Sequence, residues 1–205
     1  MSHRQRLPSR ILMMFALLPM FGCGGTDAPP SESPKTNNSK EVETMRLTSS
    51  KLEHGAQIDA LYTADGEDVS PPLSWSEVPE GTESFALICD DPDAPSPKRP
   101  APEPWVHWVL FNIPADVTQL PQGISAEAEP EKVAGARQGV NSSSTMGYQG
   151  PAPPAGSGQH RYFFKLYALD TTLELPAGTT TKKELLDAMS GHILAEGELM
   201  GVYER

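Results

Sequence analysis

Residues 147–170 have the sequence GYQGPAPPAGSGQHRYFFKLYALD, in which a glycine- and proline-rich loop leads into an apolar run. Glycine permits close backbone approach and proline fixes φ, so this loop can hold a rigid shape and offer its N–H groups to an anion. His160 stands where the loop ends, and the aromatic run Arg161–Leu169 that follows is typical of a buried strand. The alternation of a strand places Tyr162 on the face of His160. The stretch therefore predicts a strand that delivers a histidine to the mouth of a shaped loop.

Residues 90–113, DDPDAPSPKRPAPEPWVHWVLFNI, repeat this design with an acidic, proline-rich loop and a second aromatic strand. Strand alternation places Trp105 and Val109 on the face of His107. A buried histidine needs a partner for each ring nitrogen, and Asp91 or Asp93 could orient one of them. Two loops that each deliver a histidine predict one shared pocket for a phosphate or a carboxylate.

Short apolar runs separated by Gly, Pro and Asp turns predict a mainly β domain over residues 45–205, an antiparallel sandwich or barrel. Thr181 can cap a helix from Lys182 to about Leu194. The predicted strands are Ile58–Thr63, Leu73–Trp75, Glu83–Cys89, Trp105–Ile113, Arg161–Leu169 and Glu198–Tyr203.

The N-terminus has the pattern of an export signal over residues 1–22, with basic residues before an apolar run from Ile11 to Phe21. Cys23 follows Gly22 as in a bacterial lipobox, which predicts lipidation of Cys23; a plain secretory signal is the alternative. We therefore expect a lipoprotein of a bacterial cell envelope that faces the periplasm. Gly24 after the cysteine favours the outer membrane.

Residues 23–44 are rich in Pro, Ser, Thr, Asn and charge, a composition that predicts a flexible tether. About 20 such residues have a root-mean-square reach of about 25 Å, enough to hold a domain off a membrane. The formal net charge of the chain is −11, and removal of residues 1–22 makes it −14 because three arginines and no acid are lost. Nucleic acid is therefore excluded as a partner, since its affinity depends on Lys and Arg.

The chain has two cysteines, so lipidation of Cys23 would leave Cys89 without a disulfide partner. Cys89 ends an apolar run and is interpreted as a small buried hydrophobe rather than a nucleophile. No metal or cofactor is expected, because no H-x-x-x-H or C-x-x-C spacing is present. His54 and His192 lie far from both loops in sequence and are expected on the surface.

The motifs DPDAP at 91–95, GPAPP at 150–154 and HRY at 160–162 resemble those of the phosphatidylethanolamine-binding protein family, in particular its bacterial Raf-kinase-inhibitor-like branch. The resemblance extends over most of residues 46–205 and includes DGEDVSPPLSW at 65–75 and GHILAE at 191–196. It implies a β-sandwich with one or two short helices near the C-terminus and a small anion pocket at one end.

The resemblance also implies the residues of that pocket, which are Asp91, His107 and His160, with Asp93, Gly150, Pro153 and Tyr162 close by. The chain departs from bacterial relatives at 140–146, VNSSSTM, and at Ala152, where many relatives have a cysteine. Both departures border the pocket and bear on its ligand preference.

The sequence thus predicts a tethered binding protein, not an enzyme, for a small anion: phosphate, a phosphomonoester, a carboxylate or a phospholipid headgroup. An inhibitor or interaction module that captures a protein partner's acidic or phosphorylated group in the same pocket is the alternative. A hydrolase with His107 or His160 as general base, oriented by Asp91, is a third hypothesis. Residues 156–158, Gly-Ser-Gly, are interpreted as a turn because no G-x-S-x-G motif is present.

Overall fold

The computed structural model describes residues 42–205, and β-strands are the main regular secondary structure among them. Within that part of the chain, one α-helix (α1) lies near the C-terminus, and 3₁₀ turns occur at Ala60–Tyr62 and Glu131–Val133. In chain order the elements are β1 Glu43–Thr44, β2 Arg46–Thr48, β3 Leu73–Ser76, β4 Ser84–Asp91, β5 Trp105–Pro114, β6 Gln119–Leu120, β7 Arg137–Gln138, β8 His160–Leu169, α1 Lys182–Met189 and β9 Ile193–Tyr203.

The strands form a six-stranded sheet of order β1-β9-β8-β4-β5-β7 and a three-stranded sheet of order β2-β3-β6. All neighbours are antiparallel except β1 and β9, which are parallel. The prediction of a mainly β sandwich with a short helix near the C-terminus is therefore confirmed.

The two faces of the large sheet bury two separate apolar clusters. The larger cluster lies on its inner face, where Phe85, Trp108 and Phe164 meet Trp75 of the small sheet. The outer face carries a second cluster, in which Val109 packs beneath Leu185 and other residues of α1. Because full burial of one large apolar side chain is worth about 1.5–3 kcal/mol, both faces contribute to stability. The central strands β4 and β5 are buried on both faces, as the apolar composition of β5 predicts.

Two elements differ from the sequence prediction. The run Ile58–Thr63 is not a strand, because the Asp59 carboxylate accepts a hydrogen bond from the Leu61 N–H (2.9 Å) and starts a 3₁₀ turn. The helix begins after Thr181 with the expected cap, but it ends at Met189 rather than near residue 194. Gly191, at φ +86°, turns the chain there, and β9 begins two residues later.

The first strand involves the end of the segment predicted to be a tether. Glu43 and Thr44 pair with β9, and Met45 is buried in the larger cluster. The predicted signal peptide, the lipidation site Cys23 and the rest of the tether lie outside the described residues. Within residues 42–205, no helix is both long and apolar enough to span a bilayer.

Candidate functional site at one end of the large sheet

Three strands bring polar side chains together at one end of the large sheet. β4 lies between β5 and β8 and is antiparallel to both, so its last residues lie beside the first residues of its neighbours. Asp91 ends β4 and pairs with Trp105 at the start of β5, while His160 is the first residue of β8. His107 follows Asp91 by 16 positions in the sequence and His160 follows it by 69. The strand order brings all three residues into one site.

A β-bulge directs His107 into this site. Cys89 of β4 pairs with Trp108, but the next residue of β4 pairs with Val106, so His107 is an extra residue in β5. A bulge re-aims a side chain and is frequent beside functional sites. As a result, His107 faces the same side as Trp108, although the two are consecutive in sequence.

The bulge also corrects the face assignment made from the sequence. Regular alternation predicts both Trp105 and Val109 on the face of His107, and the prediction is wrong for Val109. Val109 belongs to the outer cluster beneath α1, whereas Trp105 lines the same cavity as His107.

His107 is fixed by the loop that precedes β8. Its Nδ1 lies 2.6 Å from the Gln149 carbonyl oxygen, and its own carbonyl accepts from the Gln149 N–H at 3.0 Å. Because a carbonyl only accepts, Nδ1 carries the proton, and the neutral ring presents Nε2 as an acceptor. Nε2 has no hydrogen-bond partner among the described residues. Burial lowers the pKa of His107, although hydrogen bonding to Gln149 and the nearby carboxylates oppose that change.

His160, in contrast, uses both ring nitrogens within the protein. Its Nδ1 donates to Asp91 Oδ2 at 2.7 Å, and its Nε2 lies 3.1 Å from Ser157 Oγ. The other oxygen of Asp91 accepts the Asp93 N–H at 2.7 Å. The side chains of His160 and Asp91 are 1% and 4% exposed, so this pair is held rigidly in the interior.

Asp93 lies beside the site rather than in its lining. Both of its carboxylate oxygens bind the Arg161 guanidinium, at 2.8 and 2.9 Å, and Oδ2 also accepts the Arg161 backbone N–H. The guanidinium hydrogen bonds lower the pKa of Asp93. Arg161 faces away from His160 and is half-exposed. Asp93 therefore positions the loop through its N–H and its ion pair.

Gly150 closes the floor of the loop against the 3₁₀ turn at 60–62. Its N–H donates to Asp68 Oδ1 at 2.6 Å, and a Cβ atom at this position would lie 2.5 Å from that oxygen and 2.6 Å from the Tyr62 carbonyl oxygen. The N–H groups of Gln149, Gly156 and Ser157 also donate to protein carbonyls. The expectation that this loop presents its N–H groups to an anion is thus wrong at these four positions, because they hold the loop in place.

The side chains enclose an open cavity of about 440 Å³, which falls within the range of roughly 300–1,000 Å³ typical of small-molecule sites. Trp105 forms part of its rim and is 41% exposed. The described lining contains no Lys or Arg, so its cationic capacity rests on two imidazoles. The lining residues are Asp91, Ala94, Pro95, Ala101, Glu103, Trp105, His107, Gln149, Gly150, Ala152, Pro153, Pro154, His160 and Tyr162.

The cavity thus unites six of the seven predicted site residues, with Asp93 just outside. Tyr162 packs edge-on against His107, with ring centroids 5.1 Å apart, and burial raises its pKa. Gln149 and Ser157, which fix the two histidines, were not predicted; the one signal in sequence was the position of Ser157 three residues before His160. Glu103, at the cavity edge, had no signal either.

The other polar candidates lie elsewhere. Cys89 is a buried, unpaired thiol whose pKa burial raises, as expected for a packing residue. His54 and His192 are exposed, as predicted. Among residues 42–205, no cluster of three or more His, Cys, Asp or Glu side chains is arranged to hold a metal ion.

Comparison with known proteins identifies close relatives of this arrangement. The sequence model of a protein family, described as phosphatidylethanolamine-binding protein, matches residues 48–204. A UPF0098 protein of Methanothermobacter thermautotrophicus is 50% identical over 162 residues, which cover 78% of this chain and 99% of that protein. A phosphatidylethanolamine-binding protein homologue from Chlamydia trachomatis has a TM-score of 0.69 at 40% identity, covering 80% of this chain and 99% of that one. YbcL of E. coli has a TM-score of 0.71 at 34% identity, covering 78% and 98%.

Proposed function

Since the chain belongs to the phosphatidylethanolamine-binding protein family, we propose that its cavity binds a small organic phosphate, either a free phosphomonoester or the phosphodiester headgroup of a phospholipid. The observation that carries this proposal is the open Nε2 of His107 on the cavity wall, beside the buried pair of His160 and Asp91. Binding at the open Nε2 of His107 requires no chemical step.

The chemistry of phosphate suits a neutral His107. A phosphomonoester has a second pKa near 6, so about a tenth of it still carries one O–H at pH 7, and this fraction grows as pH falls. That O–H can donate to Nε2 of His107, which accepts in the neutral ring. When His107 is protonated, Nε2 donates to a phosphate oxygen instead, in a charge-assisted hydrogen bond. A phosphomonoester therefore fits both protonation states of His107, whereas a phosphodiester headgroup, which has no O–H to donate, requires the protonated ring.

The rest of the cavity provides room and a second polar group. Apolar side chains of Trp105 and Pro153 can contact the carbon chain of the ester. Glu103, exposed at the edge, can accept from an ammonium group. The cavity volume exceeds what a single oxyanion fills, which favours an organic phosphate over the inorganic ion.

The proposed location is the bacterial cell envelope. The export signal at 1–22, the lipobox-like Cys23 and the tether at 23–44 support a domain held at a membrane surface by an N-terminal lipid. We propose the periplasmic side of the outer membrane. Cys23→Ser should release the protein from the membrane fraction and abolish incorporation of labelled fatty acid, and unchanged fractionation would contradict the anchor.

Calorimetric titration tests the binding proposal, with phosphate and phosphoethanolamine as separate ligands. His107→Phe retains a ring of similar volume but lacks Nε2, and it should weaken both ligands at least about tenfold, because a hydrogen bond to a charged group is worth about 1.5–3 kcal/mol. The matched control is His54→Phe, at an exposed histidine outside the cavity. Equal affinities for the two variants would refute the proposal.

Sedimentation with vesicles distinguishes a free ligand from a lipid headgroup. A domain of residues 42–205, without the anchor, is mixed with vesicles of phosphatidylcholine alone or with added phosphatidylethanolamine. Sedimentation with the second vesicle only, lost in His107→Phe, indicates a headgroup in the bilayer. Binding of phosphoethanolamine without sedimentation indicates a free phosphomonoester.

A further inference from the structure

Ser157 completes a hydrogen-bonded chain with His160 and Asp91 that ligand binding does not use. Ser157 Oγ lies 3.1 Å from His160 Nε2, and His160 Nδ1 lies 2.7 Å from Asp91 Oδ2. Because the Asp91 carboxylate accepts a hydrogen bond from His160 Nδ1, that nitrogen carries the proton. Nε2 of the neutral ring then accepts a hydrogen bond from the Ser157 hydroxyl. The three side chains therefore share one direction of proton donation, from serine to imidazole and from imidazole to carboxylate.

This arrangement matches the geometry required for an activated serine. Such a site places nucleophile and base about 2.6–3.2 Å apart and orients the base with a third group. Asp91 is itself fixed by the Asp93 N–H, so the orienting carboxylate cannot rotate freely. Ser157 lies between Gly156 and Gly158, at φ +72° and +103°, in a turn that leaves the serine half-exposed.

The turn also provides a donor for the developing oxyanion. The Gly158 N–H, directly after the serine, donates to no described residue. In α/β-hydrolases the N–H of the residue after the nucleophile contributes to the oxyanion hole. The N–H of Ser157 itself is used by the Pro154 carbonyl, so Gly158 is the available backbone donor.

We propose that Ser157 is a nucleophile for acyl transfer from small carboxylic esters, with His160 as the general base and Asp91 as the group that orients it. Ser157 Oγ attacks the ester carbonyl carbon while its proton passes to His160 Nε2. The tetrahedral oxyanion collapses, the bond to the leaving alkoxide breaks, and the proton on Nε2 passes to that oxygen. Water then attacks the acyl-serine with the same base, which releases the carboxylic acid and restores the serine.

The position of Ser157 sets the substrate class. Ser157 lies outside the lining, but its hydrogen-bond partner His160 and the nearby Pro154 both line the cavity, so the apolar part of an ester at Ser157 can reach it. The lining is dominated by Pro, Ala, Trp and Tyr, which suits a short acyl or aromatic group. This activity goes beyond the proposed binding of phosphomonoesters, which depends on His107 instead.

A fluorophosphonate probe tests the proposal, since it phosphonylates activated serines and the adduct is seen by peptide mass spectrometry. We expect one adduct, on Ser157, and loss of labelling in Ser157→Ala. Ser76→Ala is the matched control, at an exposed serine of the small sheet, and should label like the wild type. Asp91→Asn should label at least about 100-fold more slowly, the order of magnitude of general-base catalysis.

The acyl-transfer proposal and the phosphate-binding proposal can be refuted independently. His107→Phe should lose phosphate binding and retain the adduct on Ser157, whereas Ser157→Ala should lose the adduct and retain phosphate binding. A burst of p-nitrophenol from p-nitrophenyl acetate, equal to one acyl group per chain, should accompany labelling. Absence of an adduct on Ser157 in folded wild-type protein that binds phosphate would overturn the proposal, as would an adduct whose rate is unchanged in Asp91→Asn.

Discussion

The two walls of the cavity hold their histidines in different ways. On the β5 wall, His107 is bound at Nδ1 by a backbone carbonyl and keeps Nε2 open to the cavity. On the β8 wall, His160 is bound at both ring nitrogens by side chains, one of them a buried carboxylate. His107 on the β5 wall can therefore hydrogen-bond a ligand without losing a contact, whereas His160 on the β8 wall retains its hydrogen bonds within the protein.

This difference teaches that two histidines in one pocket need not have one role. A ring nitrogen without a protein partner can accept a ligand at no cost in lost hydrogen bonds, whereas a ligand at His160 must displace Ser157 or Asp91. The sequence treats the histidines as equivalent anion ligands. The structure separates them by what binds their nitrogens, and four substitutions or titrations test that separation.

The largest expected effect is from Asp91→Ala, which removes the buried partner of His160. Breaking a buried pair by deleting one member costs about 3–5 kcal/mol, because the other polar group is left without compensation. We expect a loss of this order in the free energy of unfolding, measured by urea denaturation. Asp91→Asn keeps an acceptor and should lose less. A loss below about 1 kcal/mol in Asp91→Ala, the level of an exposed pair, would mean that the β8 wall is not tightly held.

Gly150→Ala should disturb both walls through the loop between them. The new Cβ would meet Asp68 Oδ1 at 2.5 Å and the Tyr62 carbonyl oxygen at 2.6 Å, so the loop must shift. Overpacking of this kind costs about 1–3 kcal/mol. Gly156→Ala is the contrasting variant: no atom lies within 4 Å of its Cβ, so only the positive φ of +72° at this position opposes the substitution. If thermal unfolding shows Gly150→Ala to be as stable as the wild type, the loop does not clamp the walls.

The pH dependence of sulfate binding should report the β5 wall. Burial lowers the pKa of His107 in the free protein, and a bound anion favours the charged ring and raises it. Between the bound and free pKa values, binding takes up a proton, so affinity rises as pH falls, by up to about tenfold per unit. Below the free pKa the affinity levels off.

Calorimetry between about pH 5 and 8, the range in which histidines titrate, provides the measurement. Sulfate carries no proton in this range and cannot donate to neutral Nε2, so its slope should be steep. A phosphomonoester can donate its own O–H and should show a shallower slope. His107→Phe should remove the steep dependence for sulfate, and a steep slope that persists in this variant would assign the proton to another group.

The smallest effect is expected from Asp93→Asn, outside both walls. The Arg161 guanidinium lowers the pKa of Asp93 below its ordinary 3.8, so the pair stabilises the fold above that pH and the contribution is lost as pH falls through the lowered value. Arg161 is half-exposed, so the loss at neutral pH should stay below about 1 kcal/mol. Urea denaturation at neutral and acidic pH should show this difference disappear in acid. A difference independent of pH would point to packing instead of charge.

The sequence predicted the architecture and the composition of the cavity because both depend on patterns. Apolar runs gave the long strands, and the antiparallel neighbours of β4 explain why distant histidines meet. The bulge at His107 was not predictable, since period-2 alternation contains no signal for one extra residue. The partners Gln149 and Ser157 were missed for a related reason: loop contacts depend on the course of the backbone. The helix end was misplaced because apolar residues continue from α1 into β9 with helical spacing.

The bulge in β5 makes the cavity depend on residue count as well as residue type. Removal of one residue between Trp105 and Trp108 would let β5 pair continuously with β4, and the sandwich could still form. One position would then remain between Trp105 and Trp108, opposite Asp90, and it would face the helix as Val106 does now, so a histidine there would point away from the cavity while Trp105 stayed on the rim. A relative can therefore retain both histidine motifs and still lack the open imidazole, so the length of this short segment is the feature to check before the binding properties of one member are transferred to another.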